Sequence, residues 1–158
     1  MMRRWLWLSG AVLLLDQISK WLVDREMQLF ETIALVPSFQ LTYLRNQGAA
    51  FSFLSNAGGW QRWFFIALAL SASALILRWL NRLPREAGRE ACAWTLILGG
   101  AIGNLIDRIR FGYVIDFLDV YYRDWHWPAF NVADSAITIG VALLLLESLT
   151  QRTSRPSL

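Results

Sequence analysis

The chain has 158 residues, 56% of them hydrophobic, with nine Trp, nine Phe and a formal net charge of +3. Water-soluble domains of this size are less apolar, so the composition points to one membrane domain. A single Cys (Cys92) and a single His (His126) exclude a disulfide framework and clusters of thiolate and imidazole metal ligands. Chemistry here has to come from carboxylates, amides, hydroxyls, Lys or Arg.

A membrane-crossing helix needs about 20 apolar residues. Four stretches approach that length, at about 5–23, 63–80, 91–107 and 132–149. The expected fold is therefore an all-α integral membrane protein of four transmembrane helices. It has one domain over 1–150, a small β-like or amphipathic element outside the membrane, and a short disordered tail at 151–158.

The first span follows Arg3-Arg4, as a signal peptide would, but no small-x-small cleavage pattern ends it, so it reads as a retained span. Asp16 and Lys20 lie four apart on one helix face with the acid first, the favoured order. They read either as a structural ion pair or as groups that contact a substrate. Segment 36–54 is too polar to span. Phe39, Leu41 and Tyr43 alternate with Ser38, Gln40 and Thr42, which predicts a short strand or an interfacial element. Asn56-Ala57-Gly58-Gly59 reads as a turn before the second span.

Orientation follows from the density of basic residues. Arg78, Arg82, Arg85 and Arg89 crowd one connector, whereas segment 25–62 spreads Arg25, Arg45 and Arg62 over its whole length. By the positive-inside rule the connector and both termini are cytoplasmic, and segments 25–62 and 108–131 face outward. This pattern and attraction to anionic lipid account for the net charge without nucleic-acid binding.

The third span carries GGAIGNLIDR. Gly99 and Gly103 form a G-x-x-x-G that lets another backbone approach. Asn104, Asp107 and Arg108 then make one polar face. That face reads as helix–helix glue with an Asp–Arg pair, or, for Asn104 and Arg108, as donors suited to a peptide backbone. The next segment, FGYVIDFLDVYYRDWHWPAF, is rich in aromatics and is expected to lie along the membrane surface, with Asp116 on a loop and Asp119 and Asp124 as ordinary loop acids. The fourth span opens with Asn131 and Asp134, spaced as an N-cap and its third helical residue. Ser52, Ser55, Ser135 and Thr138 are candidate hydroxyl nucleophiles, but no motif pairs them with a base.

The ionisable groups of the spans gather toward their outer ends, and ionisable groups at that depth are functional candidates. The simplest chemistry open to them is a carboxylate pair sharing one proton. The ionised member takes a proton from water, and the protonated member hydrogen-bonds the carbonyl under attack. A proton-relay transporter would instead string acids through the membrane depth, and a scaffold would use the same contacts for packing alone.

Five strings together resemble the lipoprotein signal peptidases (signal peptidase II): DQISK at 16–20, NQGAAF at 46–51, GGAIGNLIDR at 99–108, VIDF at 114–117 and FNVAD at 130–134. They stand in the family's order and span nearly the whole chain. The resemblance implies that Asp116 and Asp134 form a catalytic dyad. It implies that Asn46, Gly48, Asn104, Arg108 and Asn131 bind substrate, with Asp16, Lys20 and Asp107 in support. It further implies an aspartic endopeptidase of the bacterial inner membrane that needs no cofactor or metal. Its substrate would be a diacylglyceryl-modified prolipoprotein cut just before the lipidated Cys. Membrane lipid and the cyclic peptide globomycin are the other implied partners, and a monomer the implied state. Because a helix N-terminus favours negative charge, Asp134 is expected to be the ionised partner and Asp116 the protonated one.

Overall fold

A computed structural model describes residues 2–48 and 58–153. In chain order the elements are α1 (Met2–Glu26), β1 (Thr32–Val36), β2 (Phe39–Asn46), α2 (Trp60–Leu80), α3 (Gly88–Arg110), β3 (Val114–Tyr122), β4 (Trp125–His126) and α4 (Val132–Thr153). Three helices are long and apolar enough to cross a membrane: Trp5–Glu26, Trp60–Leu80 and Val132–Thr150. They keep large apolar side chains on the outside, among them Trp7, Leu14 and Leu15 on α1, Trp63, Leu68 and Leu75 on α2, and Ile139, Leu145 and Leu146 on α4. Lipid is the solvent such a surface suits.

The expectation of four spans is therefore met by three helices of that kind. The fourth, α3, differs for a physical reason. It packs against α1, α2 and α4 and so touches protein where the others touch lipid. Its inward face uses Ala91, Ala93, Gly99, Gly100 and Gly103 to admit its neighbours and buries Thr95, Asn104 and Asp107. Small and polar residues serve that role at the expense of mean apolarity.

The glycines show how close these neighbours come. A Cβ on Gly99 would stand 2.8 Å from the Ser9 carbonyl oxygen of α1, and one on Gly103 would stand 2.5 Å from Asp16 Oδ2. One on Gly100 would overlap the Ala133 carbonyl oxygen of α4. That obstacle is backbone and cannot rotate away. Gly100→Ala is expected to cost about 1–3 kcal/mol, as overpacking does, and to shift the start of α4. Thermal unfolding in detergent reads it; an unchanged midpoint would show that α3 and α4 can separate freely.

The fold is predominantly helical, and the expected small β-like element is a four-stranded sheet in the order β1-β2-β3-β4, with β2 on the segment expected to form a strand. The three pairings are antiparallel. β2 and β3 register Asn46 with Val114, Leu44 with Asp116 and Gln40 with Asp119, and an irregularity falls between Leu41 and Leu44. One face of the sheet closes over the end of α1 through Val23, Met27, Tyr43, Ile115 and Phe117. The segment expected to lie along the membrane surface contains the nine-residue strand β3 and the short β4. Its β-branched and aromatic residues favour a strand once β2 supplies the partner edge.

Gly58 and Gly59 take positive φ, 78° and 98°, at the expected turn. The remaining calls on 49–57, namely Ala49 to Phe51 of the NQGAAF string, Ser52, Ser55 and the Asn56-Ala57 half of the turn, lie outside the described residues. The helix α4 continues to Thr153, three residues into the expected tail, and residues 154–158 also lie outside the described ones.

Candidate active site

The start of α4 shows how the sequence builds the site. Asn131 accepts a hydrogen bond at Oδ1 from the Asp134 backbone N–H, 2.9 Å, and its own backbone N–H donates to Asp134 Oδ2, 3.3 Å. This is the reciprocal capping arrangement that the N-x-x-D spacing suggests. A second carboxylate from another helix joins it: Asp16 Oδ1 accepts the Ala133 backbone N–H at 2.9 Å. Two first-turn donors of α4, which have no partner within the helix, the Ala133 and Asp134 N–H groups, are thereby satisfied by side chains.

Asp116 arrives from the sheet, on a strand where the sequence suggested a loop. Its Oδ1 accepts from Asn131 Nδ2 at 2.7 Å, and its Oδ2 accepts from Asn46 Nδ2 at 3.0 Å. The same Asn131 amide also donates to the Ile115 carbonyl at 3.2 Å. One side chain therefore holds the strand through Asp116 and caps the helix that carries Asp134. Asp134 Oδ1 accepts from Asn104 Nδ2 at 2.8 Å.

Behind this layer stands Lys20. Its ammonium donates to Asp16 Oδ2, Asp107 Oδ2 and Asn104 Oδ1, each at 2.9 Å. Three donors meet three acceptors. Gln17 closes the group by donating to Asp107 Oδ1 at 2.9 Å and Asp16 Oδ2 at 3.2 Å. Asp16, Lys20 and Asp107 are 0, 2 and 1% exposed. They form a buried ion cluster, the arrangement that the structural reading of Asp16 and Lys20 expects. Asp107 belongs to this cluster through Lys20, which corrects the expected Asp–Arg pairing with its neighbour Arg108. Because Lys20 fixes Asn104 Oδ1, the amide must turn its Nδ2 toward Asp134.

Both Asp116 and Asp134 line one cavity of about 550 Å³, together with Asn46, Gly48, Asn104 and Arg108. Its remaining wall is largely apolar, with Val114, Trp127, Phe130, Ile137 and Ile139. Arg108 reaches it from α3, donating to the Gly48 carbonyl at 2.9 Å and lying over the Phe65 ring at 4.9 Å. Gly48 is itself held by its N–H donating to Asn46 Oδ1 at 2.9 Å. Asn131, also expected to bind substrate, is fully buried and is not among the residues lining the cavity; its Nδ2 donates to Asp116 and its Oδ1 accepts the Asp134 backbone N–H.

Burial first, and then the negative charge of Asp134, push the Asp116 carboxyl up to about 7; the Asn46 and Asn131 hydrogen bonds and Lys20 pull the other way. Ser135 and Thr138 also reach the cavity. Ser135 Oγ is committed to the Asn131 carbonyl at 2.9 Å. Sequence reasoning missed Gln17 and the wall at 127–130. It also took Asp119 for a loop acid. Asp119 is buried and accepts from Gln40 at 2.7 Å and Thr42 at 3.1 Å, with His126 Nδ1 at 3.0 Å.

Residues 8–150 match the family described as signal peptidase (SPase) II. The chain belongs to the signal peptidase II family. It is 55% identical to the lipoprotein signal peptidase of Alteromonas mediterranea over 91% of this chain and 79% of that one. It is 53% identical to that of Shewanella woodyi, covering 92% and 83%. Its fold is similar to that of a bacterial membrane enzyme solved by the in meso method, with a TM-score of 0.85 at 28% identity, covering 95% of this chain and 90% of the other.

Proposed function

We propose that this chain removes the signal peptide from diacylglyceryl-modified prolipoproteins as an aspartic endopeptidase, cutting the bond before the lipidated Cys. The observation that carries the reading is the meeting of Asp116 and Asp134 in one largely apolar cavity, tied together by Asn131. Asp134, at the positive end of α4, is the ionised partner. It takes a proton from the attacking water. Asp116 keeps its proton and hydrogen-bonds the scissile carbonyl. The tetrahedral intermediate collapses when Asp134 returns the proton to the Cys nitrogen that leaves. Asn104, Arg108 and Gly48 line the path of the peptide backbone.

In this reading α3 crosses the membrane inside a ring of lipid-facing helices, so the bundle has four spans. Both termini and the 81–87 connector are cytoplasmic, and the sheet and dyad face the outer side of a bacterial inner membrane. The enzyme works as a monomer, and globomycin fills the dyad cavity. A proton-relay transporter fits less well, because the ionisable groups gather at one level.

The test is release of signal peptide from a diacylglyceryl-modified precursor by the purified protein; absence of cleavage overturns the reading. Its pH profile follows from Asp116. A carboxyl raised to about 7 keeps its proton below that pH and loses it above. Turnover is therefore expected to fall about tenfold per unit above pH 7 to 8. Stability follows the same direction. The folded state holds the proton more tightly than the unfolded chain, so this group's contribution is complete below about pH 4 and is lost as pH rises through 7. A rate that is flat to pH 10 would remove the protonated role from Asp116.

A further inference from the structure

Arg45 stands on β2 immediately before Asn46, and the two point to opposite faces of the strand, as neighbours on a strand do. Asn46 meets Asp116 on the dyad side. Arg45 meets the end of α1. Its Nε donates to the Tyr43 hydroxyl at 3.0 Å, and its Nη2 stands 3.5 Å from Asp24 Oδ1. Tyr43 in turn donates its hydroxyl hydrogen to Asp24. Burial first, and then that hydrogen bond, push the Tyr43 phenol up to about 12, so it keeps the hydrogen it donates. The guanidinium also lies over the Tyr113 ring at 4.9 Å, and Tyr113 stacks on Phe111 at 5.7 Å. Tyr113 directly precedes β3, the strand of Asp116. One side chain thus touches α1, β2 and the turn that leads from α3 to β3.

The sheet explains why a clamp matters there. β1 registers with β2 from Phe39 to Thr42, and Phe30 and Glu31 add backbone bonds to Tyr43 at 2.9 and 3.1 Å. Leu44, Arg45 and Asn46 register with β3 alone. A ribbon of two strands is marginal by itself. Yet Asn46 must present Nδ2 to Asp116 at 3.0 Å and Oδ1 to the Gly48 N–H at 2.9 Å. Resting on the peptidase reading above, we propose that Arg45 is a positioning residue for the reaction: from the far face of the sheet it fixes the end of β2, and with it the contact of Asn46 with Asp116. A simple surface ion pair would be too weak for this, since Arg45 and Asp24 are 41 and 40% exposed. The Tyr43 hydroxyl, on a residue only 1% exposed, and the Tyr113 ring supply the rest. A planar guanidinium reaches all three partners at once, which an ammonium cannot.

The experiment measures kcat, KM and the pH dependence of cleavage of a diacylglyceryl-modified precursor, with unfolding midpoints on the same preparations. It compares the unaltered protein with Arg45→Met, Arg45→Lys, Asn46→Ala and the double variant Arg45→Met/Asn46→Ala. Arg45→Met is expected to lower kcat about tenfold, as a misplacement of under about 1 Å does, with KM changed by less than about twofold. The Asn46 hydrogen bond pulls the Asp116 carboxyl down. Loosening that bond should therefore move the alkaline fall in turnover up by about half a pH unit. The double variant is expected to match Asn46→Ala, because Arg45 acts through Asn46. Arg45→Lys keeps the charge and loses the fork, so it should show the same changes with kcat about threefold down; it carries the test if the methionine variant unfolds. A lowered midpoint with kcat and the alkaline limb unchanged makes Arg45 a structural residue only and overturns the proposal. Losses that multiply in the double variant overturn it too, since Arg45 would then act on something other than Asn46. Both results leave the peptidase reading standing. Cleavage by none of the proteins, the unaltered one included, overturns that reading and the proposal with it.

Discussion

Asp116→Asn and Asp134→Asn are each expected to lower turnover of a lipidated precursor by on the order of 10⁴-fold, the upper range for a proton-transfer group. The double variant is expected to be scarcely worse than either single one, because the two carboxyls share one task. The structural costs are similar, so unfolding midpoints separate folding from chemistry. At position 116 an amide can turn its oxygen to Asn131, but its nitrogen then faces Asn46 Nδ2, a donor whose partner oxygen is held by the Gly48 N–H. Stability should fall by about 1–3 kcal/mol. At position 134 both carboxylate oxygens accept from donors that cannot turn, the Asn131 backbone N–H and an Asn104 amide fixed by Lys20. An amide there faces a donor with a donor, and about 1–3 kcal/mol is lost. Turnover with unfolding midpoints measured on the same preparations checks this. Either single variant retaining a tenth of the rate would remove that residue from the dyad.

Lys20→Met carries the largest expected effect on stability. It removes one cation from between two carboxylates that are 0 and 1% exposed and leaves Asn104 Oδ1 without its donor. Breaking a buried ion group on one side costs about 3–5 kcal/mol. In a chain of this size that is a fall of roughly 10 °C in unfolding midpoint. Catalysis should fall too, since Asn104 is then free to turn its amide away from Asp134. Replacing Asp107 by Asn in the same chain removes one orphaned charge and should restore part of the stability. A Lys20→Met protein as stable as its parent would show that the cluster is solvated and does not hold the helices together.

The lipid-facing helices were readable because hydrocarbon imposes one simple demand, some 20 apolar residues in a row. α3 blurred that rule, since its neighbours are protein and it spends Gly99, Gly100, Gly103, Asn104 and Asp107 on them. β3 was harder. Val114 to Tyr122 becomes a strand by pairing with β2, about 70 residues earlier, and no local pattern announces so distant a partner. The same distance hid the surroundings of Asp119 and the double task of Asn131. Asp134 was legible in part because its cap is local, three residues from Asn131, whereas the surroundings of Asp116 depend on Asn46 and Asn131 together. The ion cluster was half legible: Asp16 and Lys20 share a helical face, but Asp107 enters from another helix.

The capped start of α4 also works as a depth gauge. The helix runs 22 residues from Val132 to Thr153, about 33 Å at 1.5 Å per residue, close to the thickness of a bilayer's hydrocarbon core. Asp134 stands at one end of that ruler, and Asn131 and Asp16 bolt the ruler to the sheet and to α1. On the peptidase reading proposed above, the height of the attacking water is set by a helix length and not by a flexible loop. A bilayer much thicker or thinner than the ruler has to deform around the protein or tilt it. On that reading either response moves the lipid-anchored bond relative to Asp116 and Asp134, so membrane thickness is in effect part of the enzyme's geometry.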